Sequence, residues 1–268
     1  WRTTAWLDGV RLGDHTGGNV PIMWELKDAK PGAKHTLIVR AFDDARSGLQ
    51  QLGKQSDRDD SYGIFYTRTT GIWQTVWLEA VGTSFIRDFS VVGDPAAGRV
   101  SFTSNVDGPL TGLDLRIDVF AGAEKVGSST SSVRSLATVQ SIELSTKRAW
   151  SPEDPFLYTA KLTLLAKDSV RDEVATYFGL RSIDIRGRQF LINGKPLYQR
   201  LVLDQGFYPD GIWTAPTDDA LRRDIELSKA AGFNGAHLHQ KIFEPRFHYW
   251  ADKLGYLTWG ETPSFGSN

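Results

Sequence analysis

Five side chains in the last quarter of the sequence have types and spacing that chemistry could use: Asp204, Gln205, His237, His239 and Glu261. Residues two apart on a strand point to the same side, so His237 and His239 can face one pocket. Three uses of the set remain open. An HxH pair with a carboxylate nearby can make a three-ligand catalytic metal site, as in barrel metallohydrolases. The same groups can line a polar pocket that hydrogen-bonds a ligand. They can also be held by backbone hydrogen bonds and do nothing chemical. A barrel metal site normally draws further His and Asp ligands from later strands, and the sequence supplies none after Glu261, so no metal ligand is assigned. His248, on a helix flank, reads as surface or structural.

The elements that must position these groups are legible. FLINGKPLYQRLVL (190–203) is a hairpin through Asn193-Gly194 leading into an apolar strand. TDDALRRDIELSKAAG (217–232) predicts a helix with Thr217 as N-cap, Asp218 and Asp219 at the positive end of its dipole, Leu221 and Ile225 on one face and Gly232 as the stop. FNGAHLH (233–239) is a short strand. PRFHYWADKLG (245–255) is a second helix that starts at Pro245, turns Phe247, Trp250, Ala251 and Leu254 inward, and ends at Gly255. YLTWGE (256–261) is a third strand. Strand–helix–strand–helix–strand is the unit of a parallel sheet, open or closed into a barrel, whose reactive residues lie at the carboxyl ends of the strands. Asp204 and Gln205 follow the first of these strands, His237 and His239 close the second, and Glu261 closes the third.

Upstream the pattern is β. In residues 1–82, TTAWLDGVRLG places Asp8-Gly9 between two apolar runs, a two-residue hairpin signal, and HTLIVRAF (35–42) and TVWLEAV (75–81) alternate as strands. The polar stretch 43–61 reads as a disordered or plain surface loop, although loops of that length are also often functional. In residues 83–184, GLDLRIDVF (112–120) sets Leu113, Leu115, Ile117 and Val119 against Asp114, Arg116 and Asp118, and TVQSIEL (138–144) and TAKLTLLA (159–166) repeat the pattern. Strands at this spacing predict an immunoglobulin-like sandwich.

Composition narrows the function. With 31 Lys and Arg against 32 Asp and Glu, the formal charge is −1, so no electrostatic footprint for nucleic acid or an anionic membrane is visible. Cysteine is absent, which removes disulfides, thiolate metal sites and cysteine nucleophiles. No apolar run is long enough to span a membrane. Nine Trp, eight Tyr and fourteen Phe among 268 residues suit flat apolar faces such as sugar rings, and equally suit large sandwich cores. The only methionine is Met23 and Trp1 falls within a strand, so the sequence is expected to lack its natural start.

YGIFYTRTTGIWQTVWLEAV (62–81) resembles the end of the sugar-binding jelly-roll domain of glycoside hydrolase family 2, the β-galactosidases and β-glucuronidases. WLDGVRLGDHTGGNVPIMWEL (6–26) and GKQ (53–55) are similar to earlier parts of that domain, and WSPEDPFLY (150–158) and YFGLRSIDI (177–185) to the close of the family's immunoglobulin-like domain and the entry to its barrel. Residues 190–261 resemble the first three strands of its catalytic barrel. The resemblance implies a jelly-roll β-sandwich over 1–82, an immunoglobulin-like β-sandwich over 83–184, and the N-terminal part of a (β/α)8 TIM barrel over 185–268. It implies a retaining exo-β-glycosidase of the β-galactosidase type, acting on terminal β-linked sugars through an acid/base and a nucleophile glutamate. Both would lie on later strands, so no catalytic residue is assigned and the chain alone is expected to be inactive; neither Glu244 nor Glu261 is given either role. Asp204, Gln205, His237, His239 and Glu261 are then substrate-binding residues, with His237 standing where the family usually has arginine. Trp259 and Tyr208 could stack on sugar, with core packing the more natural place for Trp259. The partner is a carbohydrate, with no nucleic acid or membrane partner; a homo-oligomer is allowed. No cofactor is assigned, although a divalent or sodium ion is compatible with the full-length enzyme. Bacterial cytoplasm and periplasm both remain open. A non-catalytic carbohydrate-binding sandwich protein and the HxH metallohydrolase are the competing readings.

Overall fold

Alternation of apolar and polar residues dominates the chain, and antiparallel sheets dominate its structure. The structure, a computed structural model, describes residues 1–27 and 29–264; residues 265–268 of the segment expected over 185–268 lie outside the described residues. β1 (Arg2–Leu7), β2 (Val10–Thr16) and β3 (Leu37–Phe42) form an antiparallel sheet in the order β2-β1-β3. Its first turn places Asp8 and Gly9 at φ 49° and 84°, the pair of positive angles a two-residue hairpin needs. TVWLEAV, predicted as a strand, is not one: 75–81 pairs with no strand among the described residues and exposes Val76, Trp77 and Leu78. Alternation alone leaves backbone groups without a ladder, and a strand forms only where a partner supplies one.

The middle of the chain carries the predicted sandwich. β4 (Phe85–Asp94), β5 (Arg99–Asp107) and β8 (Ala137–Glu143) make one antiparallel sheet. β6 (Leu113–Ala121), β7 (Glu124–Ser132), β9 (Tyr158–Ala166) and β10 (Ser169–Phe178) make the other, in the order β10-β9-β6-β7. Between them lies one apolar core that includes Val100, Phe102, Leu115, Ile117, Leu162 and Leu164, all fully buried. Phe102, Tyr158 and Phe178 pack their rings at 5.3–5.8 Å within it.

A small hairpin sheet, β11 (Ile183–Arg186), β12 (Gln189–Ile192) and β13 (Lys195–Pro196), leads into β14 (Leu201–Asp204), α1 (Asp218–Ala230), β15 (Gly235–Leu238), α2 (Pro245–Leu254) and β16 (Leu257–Gly260). The last three strands pair in parallel in the order β14-β15-β16. Thr217 caps α1 by accepting the Ala220 N–H, as predicted. Both helices cover the same sheet face, where Leu221, Ile225, Ala236, Leu238, Phe247 and Ala251 form a second core. The other face packs at its lower end on the hairpin, through Leu257, Ile192 and Trp150. Trp150 also ties the sandwich to α2: its indole N–H donates to the Asp252 carbonyl at 2.7 Å, and Arg181 lies 4.7 Å over its ring while pairing with the Asp252 carboxylate.

Candidate functional site

The carboxyl ends of β14, β15 and β16 bring four of the five predicted residues together on the sheet face away from the helices. His237 donates from Nε2 to Glu261 Oε2 at 3.0 Å, and His239 Nε2 lies 3.5 Å from Glu261 Oε1. Nδ1 of His239 meets Gln205 Oε1 at 3.0 Å. An amide offers a donor and an acceptor, so Gln205 can serve either neutral tautomer of that ring. The two imidazoles stand edge to face, 5.6 Å between centroids. Side-chain exposures of 42% for His237, 20% for His239 and 35% for Glu261 leave the cluster open to a ligand while shielding one of its rings.

Geometry explains the electrostatics. Burial would raise the Glu261 carboxyl, but the hydrogen bond from His237, the Gln240 N–H at 2.7 Å and the adjacent imidazoles together hold it below the usual range. Burial pushes the His239 imidazole down, helped by the charges of Lys54 and His237 and opposed by Glu261. Glu261 therefore stays an anion, and His239 is neutral around neutral pH.

Asp204 does not join them. As the last residue of β14 it points to the helix side, where its Oδ1 accepts the Gly206 N–H at 2.8 Å. Its neighbours there are Lys241, Asp224 and Glu244, and burial raises its carboxyl. Lys241 is 1% exposed, donates to the carbonyls of Gly206 and Trp213 at 2.7 and 2.8 Å, and is pushed by burial down to about 8. Asp204 thus belongs to a buried polar network that locks the loop 205–213, and the sugar-side role expected of it is corrected. Tyr208 joins that network, donating to Asp224 at 2.8 Å and packing beside the second core, so it offers no free stacking face. Trp259, expected in the core, is 45% exposed on the same sheet face as His237, its partner in register. His248 is half-buried in α2, in keeping with a structural place.

The stretch 43–61 was the largest omission. It is neither disordered nor plain: the N–H groups of Leu52 and Gly53 both donate to the Ser264 carbonyl at 3.0 and 3.1 Å. Gly53, at φ 60°, runs so close to the Gln240 carbonyl that a Cβ there would lie 2.3 Å from its oxygen. Further along, Trp73 stacks on Trp213 at 4.5 Å and Tyr66 on Phe207 at 4.4 Å, clamping residues 62–74 to the loop after β14. The GKQ motif at 53–55 was the one signal that could have found this contact. Among the described residues no group of three His, Cys, Asp or Glu side chains has its donor atoms placed to share a metal ion.

The model of the family described as glycosyl hydrolases family 2 matches residues 84–181, the sandwich. A beta-galactosidase from Thermoanaerobacter pseudethanolicus is 23% identical over 97% of this chain and 35% of its own length. A beta-glucuronidase from Paenibacillus borealis is 23% identical over 98% of this chain and 45% of its own length. A β-glucuronidase from Ruminococcus gnavus, solved with an N1-substituted uronic isofagomine, shares the fold with a TM-score of 0.80 at 19% identity, over 98% of this chain and 46% of that one. The chain thus spans less than half the length of these relatives. The sandwich thus matches the glycosyl hydrolases family 2 model, and nearly the whole chain is similar to a beta-galactosidase and to a beta-glucuronidase.

Proposed function

We propose that the full-length protein is a retaining exo-β-glycosidase of the β-galactosidase type, with galactose the first candidate for the released sugar and glucuronate the second. In this reading residues 1–82 belong to a jelly-roll domain, 83–184 form the immunoglobulin-like domain, and 185–268 begin a (β/α)8 barrel. The observation that carries it is the cluster at the carboxyl ends of three parallel strands, where barrel enzymes bind substrate. Gln205, His237, His239 and Glu261 present hydrogen-bond donors and acceptors around an open space, as a sugar with many hydroxyls requires.

Hydrolysis with retention needs two carboxyl groups about 5–5.5 Å apart, one protonated and one free to attack. Glu261 suits neither role: as an anion it is no acid, and neither oxygen is free to attack, Oε2 being held by His237 and Oε1 by the Gln240 N–H. Glu244 faces the helix-side network, 3.8 Å from the Lys241 ammonium. Glu261 therefore positions: its two oxygens fix both imidazoles, and the free edges of these rings and of Gln205 meet the sugar. Catalysis falls to glutamates outside residues 1–268, and this chain alone turns over no glycoside. The test is mechanism-based labelling of the full-length gene product with an activated 2-deoxy-2-fluoro-β-galactoside. A mass increase of one glycosyl unit is expected; hydrolysis without a trapped adduct would contradict retention, and no hydrolysis of either β-galactoside or β-glucuronide would contradict the assignment.

A further inference from the structure

The outward face of the N-terminal sheet carries positive charge that nothing on it answers. Alternation along β1 and β3 puts Arg2 and Thr4 on the same side as Arg40 and Phe42, with Arg2 opposite Phe42 and Thr4 opposite Arg40. Arg2 and Arg40 are therefore diagonal neighbours on adjacent strands, within reach of each other for long side chains. The four residues line one hollow of about 160 Å³. The Arg2 guanidinium lies 5.3 Å from the centre of the Phe42 ring, a contact that leaves its N–H groups without acceptors. Among the described residues neither guanidinium has an ion-pair or hydrogen-bond partner. The acids beside them are engaged: Asp14 accepts the Thr4 hydroxyl at 2.8 Å and pairs with Arg11, and Asp43 accepts Gln50 and, at 3.0 Å, the Thr70 hydroxyl. Two like charges side by side without a counter-ion repel, and an anion shared between them turns that repulsion into attraction.

We propose that this hollow binds a sulfate ester on a polysaccharide, shared by the guanidinium forks of Arg2 and Arg40, with the sugar ring against Phe42. The group follows from the pair of arginines. One bidentate guanidinium satisfies a carboxylate, whereas the three free oxygens of a sulfate ester can engage two. The setting follows from size. Pockets that enclose a whole small ligand run to about 300–1,000 Å³, so a hollow of about 160 Å³ takes one charged group of a longer chain. The polymer follows from charge and apolar area. A formal charge of −1 over 268 residues lacks the broad positive surface that nucleic acid needs, and Phe42, 44% exposed, offers an apolar face to a pyranose. The hollow takes none of its residues from the cluster at the strand ends. That the polymer is a glycan rests on the glycosidase reading above; that the bound group is an anion does not.

The test is biolayer interferometry of the full-length gene product at low salt on immobilised dextran sulfate, dextran, polygalacturonate and double-stranded DNA. The variants are Arg2→Gln with Arg40→Gln, Arg40→Gln alone, and, as a charge-matched control on the sandwich, Arg134→Gln with Arg171→Gln. Wild type is expected to bind dextran sulfate and not dextran. The Arg2/Arg40 double variant should bind dextran sulfate about tenfold or more weakly, as the loss of charge-assisted hydrogen bonds allows, and Arg40→Gln alone should lose part of that. The control should bind like wild type, and all variants should melt with wild type, since the arginines at the hollow hold nothing else in place. A wild type that ignores dextran sulfate, or a control that weakens as much as the Arg2/Arg40 variant, would overturn the proposal. Polygalacturonate or DNA held as tightly as dextran sulfate, with the same dependence on Arg2 and Arg40, would overturn the choice of a sulfated glycan. Hydrolysis of nitrophenyl β-galactoside and β-glucuronide by the same samples reads the glycosidase assignment separately and should not change in the Arg2/Arg40 variant. Turnover without Arg2/Arg40-dependent binding defeats only the hollow, and such binding without turnover defeats only the assignment.

Discussion

Asp204 and Gln205 are neighbours in the chain and end on opposite sides of one parallel sheet. On the helix side, Asp204, Asp224, Glu244 and Lys241 form a buried network in which the lysine satisfies two backbone carbonyls. On the other side, Gln205, His237, His239 and Glu261 form a cluster of similar polarity that stays partly open. The difference lies in solvent and in spare hydrogen-bonding capacity. The buried network spends its groups on holding a loop, while the open cluster leaves ring edges exposed to solvent. Polar composition alone therefore does not tell the two clusters apart; the sheet face does.

The contrast breaks most visibly at Lys241. Lys241→Met leaves three carboxyl groups without their buried cation and two carbonyls without a donor, so unfolding in urea should show a loss of about 3–5 kcal/mol. A loss under about 1 kcal/mol would mean that the network is no lock. Next in size is Gly53→Ala, which must push the loop off the Gln240 carbonyl and strain a left-handed backbone, at about 1–3 kcal/mol. Hydrogen exchange should then show faster exchange of the Leu52 and Gly53 amides.

The open face should respond weakly in stability. Glu261→Gln is expected to change it by less than about 1 kcal/mol, because the carboxylate is one-third exposed. The smallest effect is pH dependence. Burial lowers the His239 imidazole below its ordinary 6.5, so the unfolded chain takes up that proton first as pH falls. Stability from His239 is complete above 6.5 and is lost as pH drops below it, until the folded imidazole also protonates. Glu261, also depressed, adds a second loss at lower pH, when its carboxylate protonates. NMR titration of the His239 ring checks the first step; a midpoint above 6.5 would contradict it.

The parts of the fold legible in the sequence are those whose side chains carry a period. Leu113, Leu115, Ile117 and Val119 mark a sandwich strand, and Thr217 and Gly232 bracket a helix, without knowledge of what they pack on. The sidedness of Asp204 was not legible. β14 places Leu201 and Leu203 on one face and Val202 on the other, so both faces read as apolar and the alternation gives no direction. Nothing in the sequence marks Lys241, because its partners are backbone carbonyls and carbonyls leave no trace in sequence. For the same reason the 43–61 loop stayed hidden: Leu52 and Gly53 reach Ser264 through main-chain groups more than 200 positions away. His237, His239 and Glu261 were legible because strand ends and a two-residue spacing suffice to gather them.

The central claim is that this gathered set holds sugar in a glycosidase. It is tested most directly by kcat/KM of the full-length gene product for its best nitrophenyl β-glycoside, in wild type, His239→Ala and Glu261→Gln, with folding checked by thermal melting. Each variant should lose about 100-fold or more, as expected when a group that positions substrate is removed, while its melting temperature stays near wild type. Values within threefold of wild type for both variants would contradict the account.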